Sequence, residues 1–133
     1  MLSKKRSTII LSVLAVDDDC DNLLLISYLI EALNFKCYGV SDSTKAMNLA
    51  LDKTPDLILL NIVMPVLSGF EIISQLKSNL LTQNIPVIAV TALSSLYYQE
   101  KISSAGFEDY ISKPFMIEEF EDKLGKYLNP CLV

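Results

Sequence analysis

Apolar and polar positions along the chain alternate between two kinds of segment. Residues 9–16 form an apolar, β-branched run that ends abruptly in Asp17, Asp18 and Asp19, the pattern of a buried strand meeting a turn. Over residues 20–33, apolar side chains recur at Leu23, Ile26, Ile30 and Leu33, with a second row at Leu25 and Leu29. That spacing predicts a helix with a broad buried face. Asp19 or Asp21 is placed to cap its start, and Asn34 to end it in the left-handed conformation. Residues 35–40 read as a second strand. Ser41, Asp42 and Ser43 then offer a cap to a helix with the narrow stripe Ala46, Leu49 and Ala50, running to Lys53.

Residues 57–60 are unbroken Leu and Ile, as in a central strand buried on both faces. Asn61 closes this third strand, and Pro65 and Gly69 prevent its continuation. Ser68 caps a helix expected to turn Phe70, Ile73, Leu76 and Leu80 inward. Ile85 and Pro86 lead into a fourth strand over 87–90, ending in Thr91 and Ala92. Ser94 and Ser95 start a fourth helix, which carries Tyr97 and Tyr98 on adjacent positions and stops at Gly106. Asp109–Ser112 is a short fifth strand ending in Lys113 and Pro114. The last helix puts Ile117, Phe120, Leu124 and Leu128 on one face, with Glu118, Glu119, Glu121 and Asp122 around it, and Asn129-Pro130 terminates it.

Strand and helix thus alternate five times with short connections, which predicts an α/β fold: a parallel sheet with helices on both faces. At 133 residues the chain is expected to hold one domain, with no linker, repeat or low-complexity tract. No apolar run approaches the roughly 20 residues needed to span a membrane. The basic cluster Lys4, Lys5 and Arg6 precedes an apolar run without a small-residue cleavage site, a poor signal peptide. A net charge of −5 argues against a nucleic-acid surface. The three cysteines, Cys20, Cys37 and Cys131, are odd in number and form no C-x-x-C pair. They suggest packed, reduced thiols and a cytoplasmic protein. Cys131 does not fit a prenylation signal. The absence of histidine removes the commonest metal ligand and general base.

If the strands are parallel, Asp17 and Asp18, Asn61, Thr91 and Lys113 all end strands at one edge of the sheet, where ligands of such sheets collect. Neighbouring carboxylates repel and favour a bound cation. An oxygen-rich pocket without histidine or thiolate suits Mg²⁺ or Mn²⁺ best. A hydroxyl and an ammonium beside it could hold the oxygens of a phosphoryl group. Taken singly, each of these residues also reads as a turn, cap or strand-end residue; their placement on successive strands shifts the balance.

The segments AVDDD, PDLILLNIVMPVLSG, PVIAVTA and AGFEDYISKPF, in that order and followed by the closing helix, resemble a response-regulator receiver domain, the module of two-component signalling. The resemblance spans about residues 8–128. It implies a flavodoxin-like (βα)5 three-layer sandwich with a five-stranded parallel sheet of order 2-1-3-4-5, preceded by an N-terminal extension over 1–7, occupying 8–129, and followed by a tail over 130–133. It implies a Mg²⁺ site at Asp17, Asp18, position 61 and the Val63 backbone carbonyl. The phosphate pocket and switch would comprise Thr91, Ala92, Lys113 and Tyr110, and Pro114 would follow a cis bond. One position departs from the family pattern: Asn61 stands where the family has its phospho-accepting aspartate. A neutral amide has no anionic oxygen with which to attack phosphorus, and it removes one negative charge from the metal site, which should weaken Mg²⁺ binding.

Three functions follow as alternatives. One is a receiver-like module that is not phosphorylated at position 61 and works by protein contact. Its surface would be the fourth helix, fifth strand and fifth helix, with Tyr97, Tyr98 and Tyr110 as contact residues. A second is an ordinary phosphorelay receiver in which Asn61 is an engineered substitution. The third is a small Mg²⁺-dependent phosphatase with Asp17 as nucleophile, disfavoured because the D-x-D arrangement with its own cap domain is not matched: Asp19 stands two residues on, but with Asp18 between. The resemblance makes a sensor histidine kinase or another signalling protein the expected partner, not nucleic acid or membrane, and leaves a homodimer open.

Overall fold

A computed structural model describes residues 9–93 and 95–128. Five strands alternate with five helices: β1 (Ser12–Val16), α1 (Cys20–Ala32), β2 (Lys36–Val40), α2 (Ala46–Lys53), β3 (Leu57–Asn61), α3 (Gly69–Lys77), β4 (Val87–Thr91), α4 (Leu96–Ala105), β5 (Asp109–Ser112) and α5 (Ile117–Leu128). All strand pairs are parallel and the order is β2-β1-β3-β4-β5. β3 and β4 are buried along their whole length, because the right-handed crossovers place helices over both faces.

The two-residue period of the strands divides the core. Val13, Ala15, Leu57, Leu59, Ile88, Val90 and Ile111 face α1 and α5, meeting Ile26, Leu29, Ile30, Phe120, Leu124 and Leu128. Leu14, Val16, Ile58, Leu60, Val87 and Ala89 face α2, α3 and α4, meeting Ala46, Ala50, Ile72, Ile73, Leu76 and Ile102. Neither face reaches water, so one register shift would misplace both sets at once.

The starts of α1, α3 and α4 are set by side-chain caps. The Asp19 carboxylate accepts from the backbone N–H groups of Asp21 and Asn22 at 3.0 and 3.2 Å, starting α1. Ser68 and Glu71 form a reciprocal capping box at α3, and Ser95 accepts from Tyr98 N–H at α4. Gly106, at φ 108°, ends α4 in a conformation that suits glycine. Asn34 takes a left-handed φ of 69° just past α1.

Several sequence expectations are corrected. β1 begins at Ser12, which pairs with Lys36, the first residue of β2; Ile9 and Ile10 lie before the ladder and are exposed. Leu25 is 46% exposed, so the buried stripe of α1 is narrower than its composition suggests. Asp42 caps a single 3₁₀ turn (Ser43–Lys45) from which α2 continues. α3 stops at Lys77, and Leu80 is exposed rather than inward. The cause is Thr82, whose buried hydroxyl donates to the Leu76 carbonyl at 2.7 Å and folds the chain back. Ile117 opens α5 and is half exposed. Cys20 and Cys37 are free thiols, but Cys20, at the start of α1, is exposed rather than packed, and Cys37 is half-buried. Burial pushes the Cys37 thiol pKa up against a hydrogen bond to Ser27, with Glu31 adding to the rise. Lys4, Lys5, Arg6, Ser94, Asn129, Pro130 and Cys131 lie outside the described residues.

Candidate functional site

The pocket forms because three parallel strands end level with one another. Val16 pairs with Leu60, and Asn61 with Val90. Asp17 follows directly after β1 and Thr91 is the last residue of β4, so both stand beside Asn61. Thr91 pairs with Ser112, which places Lys113 just past the neighbouring edge. The β3–α3 loop returns tightly over this end: Gly69 N–H donates to Ile62 carbonyl at 2.7 Å. A Cβ at Gly69 would drive into the Asn61 carbonyl oxygen and the Ile62 Cα, so only glycine permits that approach.

Asp17 is almost wholly buried, and a buried carboxylate must find donors. Its Oδ2 accepts from Lys113 Nζ at 3.0 Å and from Asn22 Nδ2 at 2.6 Å. Its Oδ1 accepts from Asp19 N–H at 2.9 Å and from Asn61 Nδ2 at 3.4 Å. The same amide nitrogen of Asn61 donates to Asp18 Oδ1 at 3.2 Å and to the Val63 carbonyl at 3.1 Å. Asn61 Oδ1 faces the other way and accepts from Lys113 Nζ at 3.3 Å. The amide orientation follows from chemistry: reversed, its oxygen would face three oxygens and its N–H₂ an ammonium.

Asp17, Asp18, Asn61, the Val63 carbonyl and Lys113 therefore converge. Thr91 is buried at the end of β4, where its hydroxyl oxygen accepts from Leu93 N–H at 3.0 Å, and Ala92 is exposed beside it. The Lys113–Pro114 bond is cis. Asn22 was not singled out by sequence reading. Its signal is local: Asp19 starts a helix whose first turn brings Asn22 back over Asp17.

Mg²⁺ is the cation such a donor set would be asked to hold. In this arrangement it does not fit. Asp17 Oδ1, Asp18 Oδ1 and the Val63 carbonyl face the amide nitrogen, while Asn61 Oδ1 and Asp17 Oδ2 face Lys113. Among the described residues, no cluster of three or more His, Cys, Asp or Glu side chains is arranged to hold a metal.

Tyr110 sits apart from this pocket, half-buried on β5, with Lys123 Nζ 5.2 Å from its ring centre. It lines a cleft of about 370 Å³ between α4 and β5, together with Leu96, Ile102 and Phe107. Tyr97 is 64% exposed on α4 and meets Tyr98 edge to face at 5.1 Å. Asp109 also lines the cleft, and burial works against its charge. Hydrogen bonds from Lys123 and from Tyr110 N–H, the Lys123 charge and the Tyr127 hydroxyl outweigh it and hold the carboxyl below its ordinary pKa. The Tyr127 hydroxyl is correspondingly raised, by burial first and then by the Asp109 carboxylate.

A flavodoxin-like sheet of this order, with paired acids, a hydroxyl and a lysine at its carboxyl edge, defines the class of the phosphotransfer receivers. The sequence profile of the response regulator receiver domain matches residues 13–125, and the chain belongs to that family. It is 38% identical over 117 residues to the polar-differentiation response regulator DivK of Brucella anthropi, covering 88% of this chain and 95% of that one. Among solved structures, the receiver domain of a sensor histidine kinase from Pseudomonas aeruginosa, with a magnesium ion coordinated in its active-site cleft, superposes with a TM-score of 0.83. That pair is 26% identical, over 91% of this chain and 99% of the other. The chemotaxis protein CheY4 of Vibrio cholerae shares the fold, with a TM-score of 0.85 and 23% identity over 90% and 100% of the two chains. The protein is thus a receiver domain of two-component signalling. Among the described residues no helix is long and apolar enough to cross a membrane.

Proposed function

We propose that this receiver domain is not phosphorylated at position 61 and acts by contact with a sensor histidine kinase or another signalling protein. One observation carries the reading: Asn61 ends β3 at the centre of the pocket, between Asp17, Asp18 and Lys113. A phosphoryl acceptor there must offer an anionic oxygen to phosphorus, and a primary amide has none. The contact surface is the α4–β5–α5 face, where the cleft beside Tyr110 and the exposed ring of Tyr97 offer apolar area.

Retention of Asp17, Asp18, Thr91 and Lys113 around the amide favours a second reading, an ordinary phosphorelay receiver whose acceptor has been replaced. Both readings share a test. The protein and an Asn61→Asp variant are incubated with Mg²⁺ and acetyl phosphate, and intact masses are compared. The expected result is one phosphoryl group on the variant and none on the parent. Phosphate on the parent would mean that another residue is the acceptor and would overturn both readings. Absence from both would leave contact alone and remove the second.

A further inference from the structure

We infer that the side-chain amide of Asn61 is a built-in substitute for the divalent cation, so that the oxygens a metal would meet are already hydrogen-bonded, and carry less uncompensated charge, without metal. The inference rests on the reading of Asn61 as the residue at the acceptor position, and extends it to what the pocket binds.

Three observations support it. The Asn61 nitrogen lies between Asp17 Oδ1, Asp18 Oδ1 and the Val63 carbonyl at 3.4, 3.2 and 3.1 Å. These are the oxygens of two separate segments, the β1–α1 turn and the β3–α3 loop, which the N–H₂ group bridges. Magnesium would need its oxygens at about 2.0–2.1 Å. Entry of the ion therefore requires ejection of the amide and inward movement of both segments. Second, Asn61 Oδ1 is committed to Lys113 Nζ at 3.3 Å, and the same ammonium pairs with Asp17 at 3.0 Å. The amide thus meets oxygens on one side and a cation on the other, each with the matching end. Third, charge is lower than in an all-aspartate pocket. Asp17, Asp18 and Lys113 sum to −1, whereas aspartate at 61 would make −2 and restore the repulsion that recruits a cation.

An alternative role for the amide, as a metal ligand through Oδ1, predicts the opposite response to truncation. Binding of Mn²⁺ alone, followed by water-proton relaxation, separates the two in the parent, Asn61→Ala and Asn61→Asp proteins. If the amide occupies the cation position, removing it opens the site. Alanine then binds Mn²⁺ several-fold more tightly than asparagine, and aspartate more tightly again, by roughly tenfold or more, since affinity follows the ligand charge count. Equal or weaker binding by Asn61→Ala would overturn the inference. Thermal unfolding gives an independent readout that does not depend on the alanine variant. Exchanging EDTA for MgCl₂ should leave the parent midpoint unchanged and raise that of Asn61→Asp. A parent midpoint that rises as much as the variant's would equally overturn it. Neither readout involves phosphoryl transfer, so acetyl phosphate labelling of the parent would sink the functional reading without moving these results.

Discussion

At the scale of single residues, the pocket is held by side chains with few alternatives. Asn61 satisfies both ends of its amide, Asp17 is enclosed by Lys113, Asn22 and Asp19 N–H, and Gly69 leaves room for the loop to return. Val66 is the exception. It is β-branched, yet its φ is +69°, and its side chain is 79% exposed. A branched side chain in that region is strained by an amount on the order of 1–3 kcal/mol. The loop keeps it there because Ser43 Oγ donates to the Pro65 carbonyl at 2.9 Å and accepts from Leu67 N–H at 3.3 Å, bracketing the residue. Asparagine tolerates a positive φ better than valine. Val66→Asn is expected to stabilise the domain by about 1 kcal/mol, read as a higher thermal midpoint with an unchanged denaturant slope. A lower midpoint would show that the valine side chain makes stabilising contacts its exposure conceals.

The scale of elements shows how far periodicity reaches. Strands β3 and β4 were legible as short apolar runs that follow Pro-Asp and Pro, and β5, only Asp-Tyr-Ile-Ser, by its place between Gly106 and Lys113-Pro114. The buried stripes of α2 and α5 followed the helical period, save for the half-exposed Ile117. The end of α3 was not legible: Leu80 continues the 3-4 spacing from Ile73 and Leu76 without interruption. What stops the helix is the buried Thr82 hydroxyl binding the Leu76 carbonyl, an interaction six residues apart that no periodicity reveals. Leu80→Ser should therefore change stability by less than about 0.5 kcal/mol. Leu76→Ala, at a fully buried position, should cost roughly 2–5 kcal/mol. Denaturant midpoints measure both, and comparable losses would place Leu80 back in the core.

For the molecule as a whole, α5 closes the sheet, and Asp109 is one place where it is fastened. The carboxylate at the start of β5 meets Lys123 at 3.0 Å, Lys126 at 4.0 Å and the Tyr127 hydroxyl at 3.3 Å, all on α5. Because the folded protein holds this carboxyl below its unfolded value, the contribution is present above the unfolded pKa of about 3.9 and is lost as pH falls through the lower folded value. Asp109→Asn should lower stability by about 1 kcal/mol at neutral pH, the scale of partly exposed ion pairs. The gap between the two proteins should close below about pH 4. Thermal midpoints against pH test this, and a gap that persists in acid would assign the loss to packing instead.

By itself the sequence determined the class of fold, the strands and the placement of Asp17, Asp18, Asn61, Thr91 and Lys113 at successive strand ends, but not Asn22 in the pocket or Tyr110 outside it. Those features depend on local hydrophobic period, on caps and breakers, and on a motif order that places polar residues at successive strand ends. It also determined that position 61 carries an amide, with the chemical limit this sets on phosphoryl transfer. Only the tertiary structure decided where that amide points. Lys113 reaches Asp17 across 96 residues of chain and Asn61 across 52, and the amide nitrogen bridges segments 43 and 44 residues apart. Which end of an amide meets which neighbour is an electrostatic outcome of that assembly. It exists only once three strands end side by side.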